Sequence, residues 1–174
     1  DDFGALNCFQ QSCDLKRKTQ TFNDHRQEMP AEISKSKLTH DIEQFEYLAS
    51  RYIERDHFSK LVSEYSKIRD KTPWATETGQ TKVDPEFHVT LVNSSKLLYR
   101  GVAGRVNQAI NSSLDTSSIY EKYFSHEFGL TYIDDFLSSE ALESLRKFLL
   151  ESTIWFAQKK GGYLGAYLKD GLAS

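Results

Sequence analysis

The chain has 174 residues, 39% of them hydrophobic and 13% aromatic, with 22 Lys and Arg against 25 Asp and Glu for a formal net charge of −3. Those values fit one ordinary domain, or a small domain with an attached helical segment, with enough apolar material to build a core. They exclude a global electrostatic pull toward nucleic acid or anionic membranes, and no apolar run approaches the roughly 18 residues of a membrane span.

The sequence starts Asp1-Asp2-Phe3, with neither an initiator Met nor a signal-like segment, as expected of a piece excised from something longer. Residues 3–18 carry Phe3, Leu6, Phe9, Cys13 and Leu15 at helical spacing and then the basic triplet Lys16-Arg17-Lys18. On such a helix Cys8 and Cys13 point in different directions, so they read as two reduced thiols of an intracellular protein, not as a disulfide. The polar stretch 19–30 reads as a loop ending at Pro30.

The clearest helix follows. Leu38, Ile42, Phe45, Leu48/Ala49 and Tyr52/Ile53 make one apolar stripe, with Asp41, Glu43 and Glu46 early and Arg51 and Arg55 late, as the helix dipole favours. Asp56 is a candidate cap for a second helix with the face Phe58, Leu61, Val62, Tyr65 and Ile68. The short connection predicts an antiparallel helical hairpin. Residues 72–85 read as a turn-rich loop that Trp74 tacks to the body.

Beyond the loop the pattern changes. Phe87, Val89 and Leu91 alternate with polar neighbours and predict a strand, as do Leu130, Tyr132 and Asp134. Residues 93–118 are ambiguous between short helix and irregular structure. Ser138 or Ser139 is placed to cap a helix carrying Ala141, Leu142, Leu145, Phe148 and Leu149, with Glu143 and Lys147 paired outside. Residues 153–156 and 163–168 predict two strands joined through Lys159-Lys160-Gly161-Gly162. The fold class read from this order is α+β: a helical segment over 1–72, a connecting region over 73–128, and the start of a β domain over 129–174.

Catalytic constellations are absent from this pattern. None of the five histidines begins a His-x-Asp/Glu, the spacing that lets one strand present two ligands to iron. His40 and Asp41 are adjacent and diverge on a helix. Asp134 and Asp135 face opposite ways on a strand and make a poor acid/base pair. There is no Gly-x-Ser-x-Gly elbow, and neither Gly101-x-x-Gly104 nor Gly161-Gly162-x-x-Gly165 is a phosphate-binding fingerprint. The triplets beginning at Asn93 and Asn111 match the glycosylation sequon, a pattern too short to imply secretion.

Two segments resemble a known family. Tyr132-Ile133-Asp134-Asp135-Phe136-Leu137-Ser138-Ser139-Glu140-Ala141-Leu142, running on to Phe148, is similar to the strand, Asp-x-Phe-Leu-Ser, helix lead-in of prolyl-4-hydroxylase-like, Fe(II)- and 2-oxoglutarate-dependent dioxygenases. Residues 151–156 with Gly161-Gly162-Tyr163-Leu164-Gly165-Ala166-Tyr167-Leu168 resemble a bacterial branch of that family, often preceded by tetratricopeptide repeats. Residues 37–48 resemble its linker helix. The resemblance covers about a third of the chain and is weak over 72–128.

It implies the opening helix and strands of a double-stranded β-helix (jelly-roll) domain, incomplete in this chain. In the family the His-x-Asp, the distal His and the basic residue that holds the co-substrate all lie downstream of the Gly-Gly-Tyr-Leu-Gly-Ala-Tyr strand. The resemblance therefore places no catalytic, metal-binding or cofactor-binding residue on a position here. Fe(II) and 2-oxoglutarate are expected only with a downstream catalytic half. The expected partner is protein, either the remainder of the oxygenase domain or another subunit, met by Phe45, Tyr52, Tyr65, Trp155, Tyr163 and Tyr167. The competing expectation is an assembly subunit built on a truncated oxygenase fold.

Overall fold

The computed structural model describes residues 32–159, 161–167 and 170–172. The helix expected over 3–18, both cysteines and the loop ending at Pro30 lie outside them. The described chain mixes helices with two small antiparallel sheets of two strands each. It divides into two compact units: residues up to Arg100 together with those from Glu151 onward, and residues 101–150.

The first unit begins with β1 (Glu32–Ser34), paired antiparallel to β2 (Gln80–Lys82) with Ile33 opposite Thr81. Ser34 ends β1 and caps α1 (Lys35–Ser50), its extended backbone directing Oγ to accept from the Lys37 N–H at 3.2 Å. The same hydroxyl donates to Gln158 Oε1 at 2.6 Å, and that oxygen also accepts from Gln80 Nε2. Ser34→Ala removes the cap and this link together. It is expected to cost about 1–2 kcal/mol, measurable as a lower midpoint in urea unfolding.

α1 stops at a left-handed residue. Tyr52 (φ 59°) sends its N–H to Ala49 O, and Ile53 sends its N–H to Leu48 O, the Schellman arrangement with tyrosine where glycine is usual. α2 (Arg55–Lys71) follows at once. The two helices pack through Leu38, Ile42, Phe45 and Leu48 on one and Phe58, Leu61, Tyr65 and Ile68 on the other, all buried. Phe45 stacks on Phe58 with ring centroids 5.5 Å apart and meets Tyr65 edge-on at 5.3 Å. Trp74 packs against this core and donates to Arg69 O at 2.7 Å, tacking down the loop as its sequence suggests.

In the second unit, residues 108–111 run beside 135–138 through the bridge Ile110–Leu137, with Asn111 N–H to Phe136 O and Ser138 N–H to Ala109 O. α4 (Thr116–Ser125) is capped by Asp115 through the Ser118 N–H. α5 (Ser139–Glu151) is capped by Ser138, whose Oγ accepts from the Ala141 N–H and donates to Gln108 O.

Four local expectations are corrected. The strand predicted over 87–92 is a 3-10 turn (Pro85–Phe87) leading into the one-turn helix α3 (His88–Leu91) and a second 3-10 turn (Val92–Ser95). Asp84 capping the Glu86 N–H and Pro85 in the first turn make a helix start that outweighs three alternating residues. Phe87 and Leu91 share a helical face against the core, and Val89 is left 73% exposed. The strand predicted over 130–134 is irregular, because Leu130 and Tyr132 are exposed and have no neighbouring strand to pair with among the described residues. The turn after them carries Asp135 at φ 51°.

The strand predicted over 153–156 forms immediately beyond that range, as β3 (Ala157–Gln158), and the one predicted over 163–168 is shorter, as β4 (Leu164–Gly165); the two pair antiparallel, turning at Gly162 (φ 81°). Residues 152–154 are buried and irregular, their backbone groups taken by the Ile154 N–H to Ser152 O and Thr153 N–H to Tyr99 O bonds in place of a strand ladder. Finally, α2 begins at Arg55, so Asp56 lies in its first turn and the cap position belongs to Glu54.

Candidate functional site

The most structured polar site of the first unit is the face of α1 carrying Lys37, His40, Asp41 and Gln44. Spacings of three and four put these side chains on one side of the helix, a side that would normally be solvated. Here residues 151–156 cover it, leaving Lys37 3% and Asp41 4% exposed. The Lys37 ammonium donates to both oxygens of Asp41. His40 and Asp41 do not diverge as their adjacency suggests: His40 Nδ1 lies 3.3 Å from Asp41 Oδ1, and its ring meets Trp155 edge-on at 6.2 Å. Gln44 Nε2 donates to Ser152 O at 2.7 Å.

Thr153 completes the clamp. Its Oγ1 accepts from the Leu98 and Tyr99 N–H groups at 2.9 and 3.0 Å, and its own N–H donates to Tyr99 O. Beneath lies a cavity of about 10 Å³ lined by Lys37, Asp41, Gln44, Asn93, Thr153 and Trp155. That volume holds a single water and no substrate.

Tyr65 closes the core side of the same region. Its hydroxyl is buried with no hydrogen-bond partner among the described residues. Burial pushes the phenol's pKa up, and the Asp41 and Glu64 carboxylates push it further, so the group stays neutral. An unpaired buried hydroxyl costs stability that its removal restores. Tyr65→Phe is expected to be neutral or to stabilise by up to about 1 kcal/mol, read as an unchanged or raised urea midpoint.

Among the described residues no three His, Cys, Asp or Glu side chains lie close enough to hold a metal ion. Asp41, the carboxylate nearest a histidine, is committed to Lys37 through both oxygens. His88 Nε2 is bonded to Val83 O, and His126 Nδ1 accepts from the Phe128 N–H.

The six residues expected to meet a partner separate into three groups. Phe45 and Tyr65 are 2% and 0% exposed and join the two helices. Tyr52, Tyr163 and Tyr167 are exposed, with Arg55 over the Tyr52 ring and the Lys159 ammonium bonded to the Tyr167 hydroxyl. Trp155 is half-buried against His40. Sequence reasoning missed the Lys37–Asp41–Gln44 row. Its signal was a polar stripe shifted by one residue from the apolar stripe at 38, 42 and 45, a sign that the helix is covered over a wider arc than its apolar residues alone define.

The second unit carries a larger, open cavity of about 610 Å³ lined by Gln108, Asn111, Ser113, Asp135, Phe136 and Leu142, among others. Asn111 Nδ2 is bonded to Asp135 O there and its Oδ1 accepts from Ser113, so this polar wall is spent on holding the turn. No protein-family model, curated protein or solved structure matches the chain. No helix among the described residues is long and apolar enough to cross a membrane.

Proposed function

We propose that this chain is a non-catalytic, N-terminal part of a 2-oxoglutarate/Fe(II)-dependent dioxygenase-like protein, with a structural and protein-docking role. On this reading residues 1–72 form a helical segment with an antiparallel hairpin, 73–128 connect, and 129–174 open a jelly-roll domain. The observation that carries it is the behaviour of the stretch resembling the family's lead-in. Asp135 adopts a left-handed turn conformation, Leu137 bridges to Ile110, and Ser138 caps a 13-residue helix, which supports the turn and helix of the resembled lead-in, whereas its strand over 130–134 is irregular here.

In the complete protein the reaction would be oxidative hydroxylation coupled to 2-oxoglutarate decarboxylation. This chain's own residues contribute scaffold: α5 as the helix that opens the family's domain, and α1 with α2 as a docking element. The second reading, an assembly subunit without enzymatic activity, is favoured by the exposed aromatic residues of the 101–150 unit. Reading the coding sequence past Ser174 separates the two. A His-x-Asp and a later His in frame are expected, whereas a stop codon there would leave only the assembly subunit.

A further inference from the structure

The 101–150 unit shows an apolar surface that its own fold does not use. On α4, Tyr120, Tyr123 and Phe124 share one face at spacings of three and four, with Phe124 packed 4.3 Å from Tyr120 and 5.1 Å from Tyr123 between ring centroids. They touch one another and remain open to solvent: Tyr120 is 64% and Phe124 65% exposed. The chain beyond the helix adds Phe128 at 80% and Tyr132 at 74%. Gly129 (φ 60°) lets the backbone pass against the Tyr123 ring, which a Cβ would meet at 3.3 Å, so Tyr123 stands as a wall between the helix and this extension. Contiguous aromatic exposure of this kind marks binding surfaces, and tyrosine and phenylalanine are common anchors there.

Charge decides the occupant. Of the chain's charged residues, 101–150 holds four basic and seven acidic, a net of −3 that equals the formal charge of the whole chain. Along the aromatic stretch the imbalance sharpens: Asp115, Glu121, Glu127, Asp134 and Asp135 stand against Lys122 alone, whose ammonium lies 6.0 Å from the Tyr132 ring centroid. A second copy, an anionic lipid surface and a nucleic acid would each bring like charge to this face. An apolar segment flanked by Lys or Arg brings opposite charge and gains both burial and steering.

We propose that the Tyr120–Tyr132 surface docks a basic amphipathic segment of a partner protein. The inference rests on the protein-docking reading above and names the chemistry of the partner.

The test uses the intact 174-residue chain and a fluorescent amphipathic peptide of Leu and Lys, about 18 residues long so that it forms a helix on binding. Saturable binding by anisotropy is expected, weakened several-fold between low and high salt. Tyr120→Ser with Phe124→Ser should weaken it at least about tenfold. Both residues are exposed, so circular dichroism and the urea midpoint should not move. As a second variant, Glu121→Gln with Glu127→Gln should keep the aromatic face and reduce the salt dependence.

Equal binding of a Leu/Glu peptide, or binding untouched by the aromatic substitutions, would overturn the proposal. So would uptake onto phosphatidylcholine vesicles through the same residues, or self-association that Phe124→Ser abolishes. Titrating the peptide-free chain with Fe(II) and 2-oxoglutarate checks the parent reading separately, because joint uptake of those two would sink it whatever the peptide does.

Discussion

Phe45→Ala is expected to remove about 3–5 kcal/mol of unfolding free energy, the range for truncating a buried phenylalanine in a packed core. The residue is 2% exposed and contacts two aromatic rings at once, stacked on Phe58 and edge-on to Tyr65. Phe58 and Tyr65, the two rings left facing the void, are themselves fully buried in one cluster with Leu61 and Ile68, which limits how far rotamer changes can refill it. Chemical denaturation followed by far-ultraviolet circular dichroism measures the loss. Phe45→Leu, which keeps more of the volume, should lose markedly less. Equal losses would mean that ring contacts contribute little beyond volume.

Asp41→Ala is expected to be nearly as severe, about 3–5 kcal/mol, for a different reason. It strands the Lys37 ammonium at a site 3% exposed, where its only charge partner among the described residues has been removed. Replacing both partners, Lys37→Met with Asp41→Leu, should recover most of that loss, since a buried pair is often matched by apolar residues of similar volume. With the singles Lys37→Met and Asp41→Leu, the double completes a thermodynamic cycle. If the double variant were no more stable than Asp41→Ala, the cost would lie in packing against residues 151–156 and not in an unpaired charge.

The helices were legible because their signals are local. The stripe 38–42–45–48, the face 58–61–65–68 and the Ser138 cap all belong to single segments, and the structure places α1, α2 and α5 where those residues predict. The strands were not, because pairing is a property of two segments. Gln80–Lys82 pairs with Glu32–Ser34 although neither has three alternating apolar residues, and what fixes their register is a shared amide at Gln158, more than 70 positions away. Phe87, Val89 and Leu91 carried an alternation that Asp84 and Pro85 overrode.

The polar clamp was half legible. The i, i+4 relation of Lys37 and Asp41 is in the sequence, but its burial depends on Ser152 and Thr153 arriving from the far end of the chain. The aromatic surface of 116–132 was the least legible. Nothing in the run of Tyr and Phe itself marks which side of the fold it faces, and only the fold shows that it is left outside.

On the proposed reading these residues build scaffold and docking surface and no oxygenase centre. Isothermal titration of the 174-residue chain with Fe(II) under anaerobic conditions, with and without 2-oxoglutarate, tests it most directly. No saturable iron uptake is predicted, and no enhancement when 2-oxoglutarate is added. Stoichiometric binding of iron that 2-oxoglutarate tightens would contradict the account.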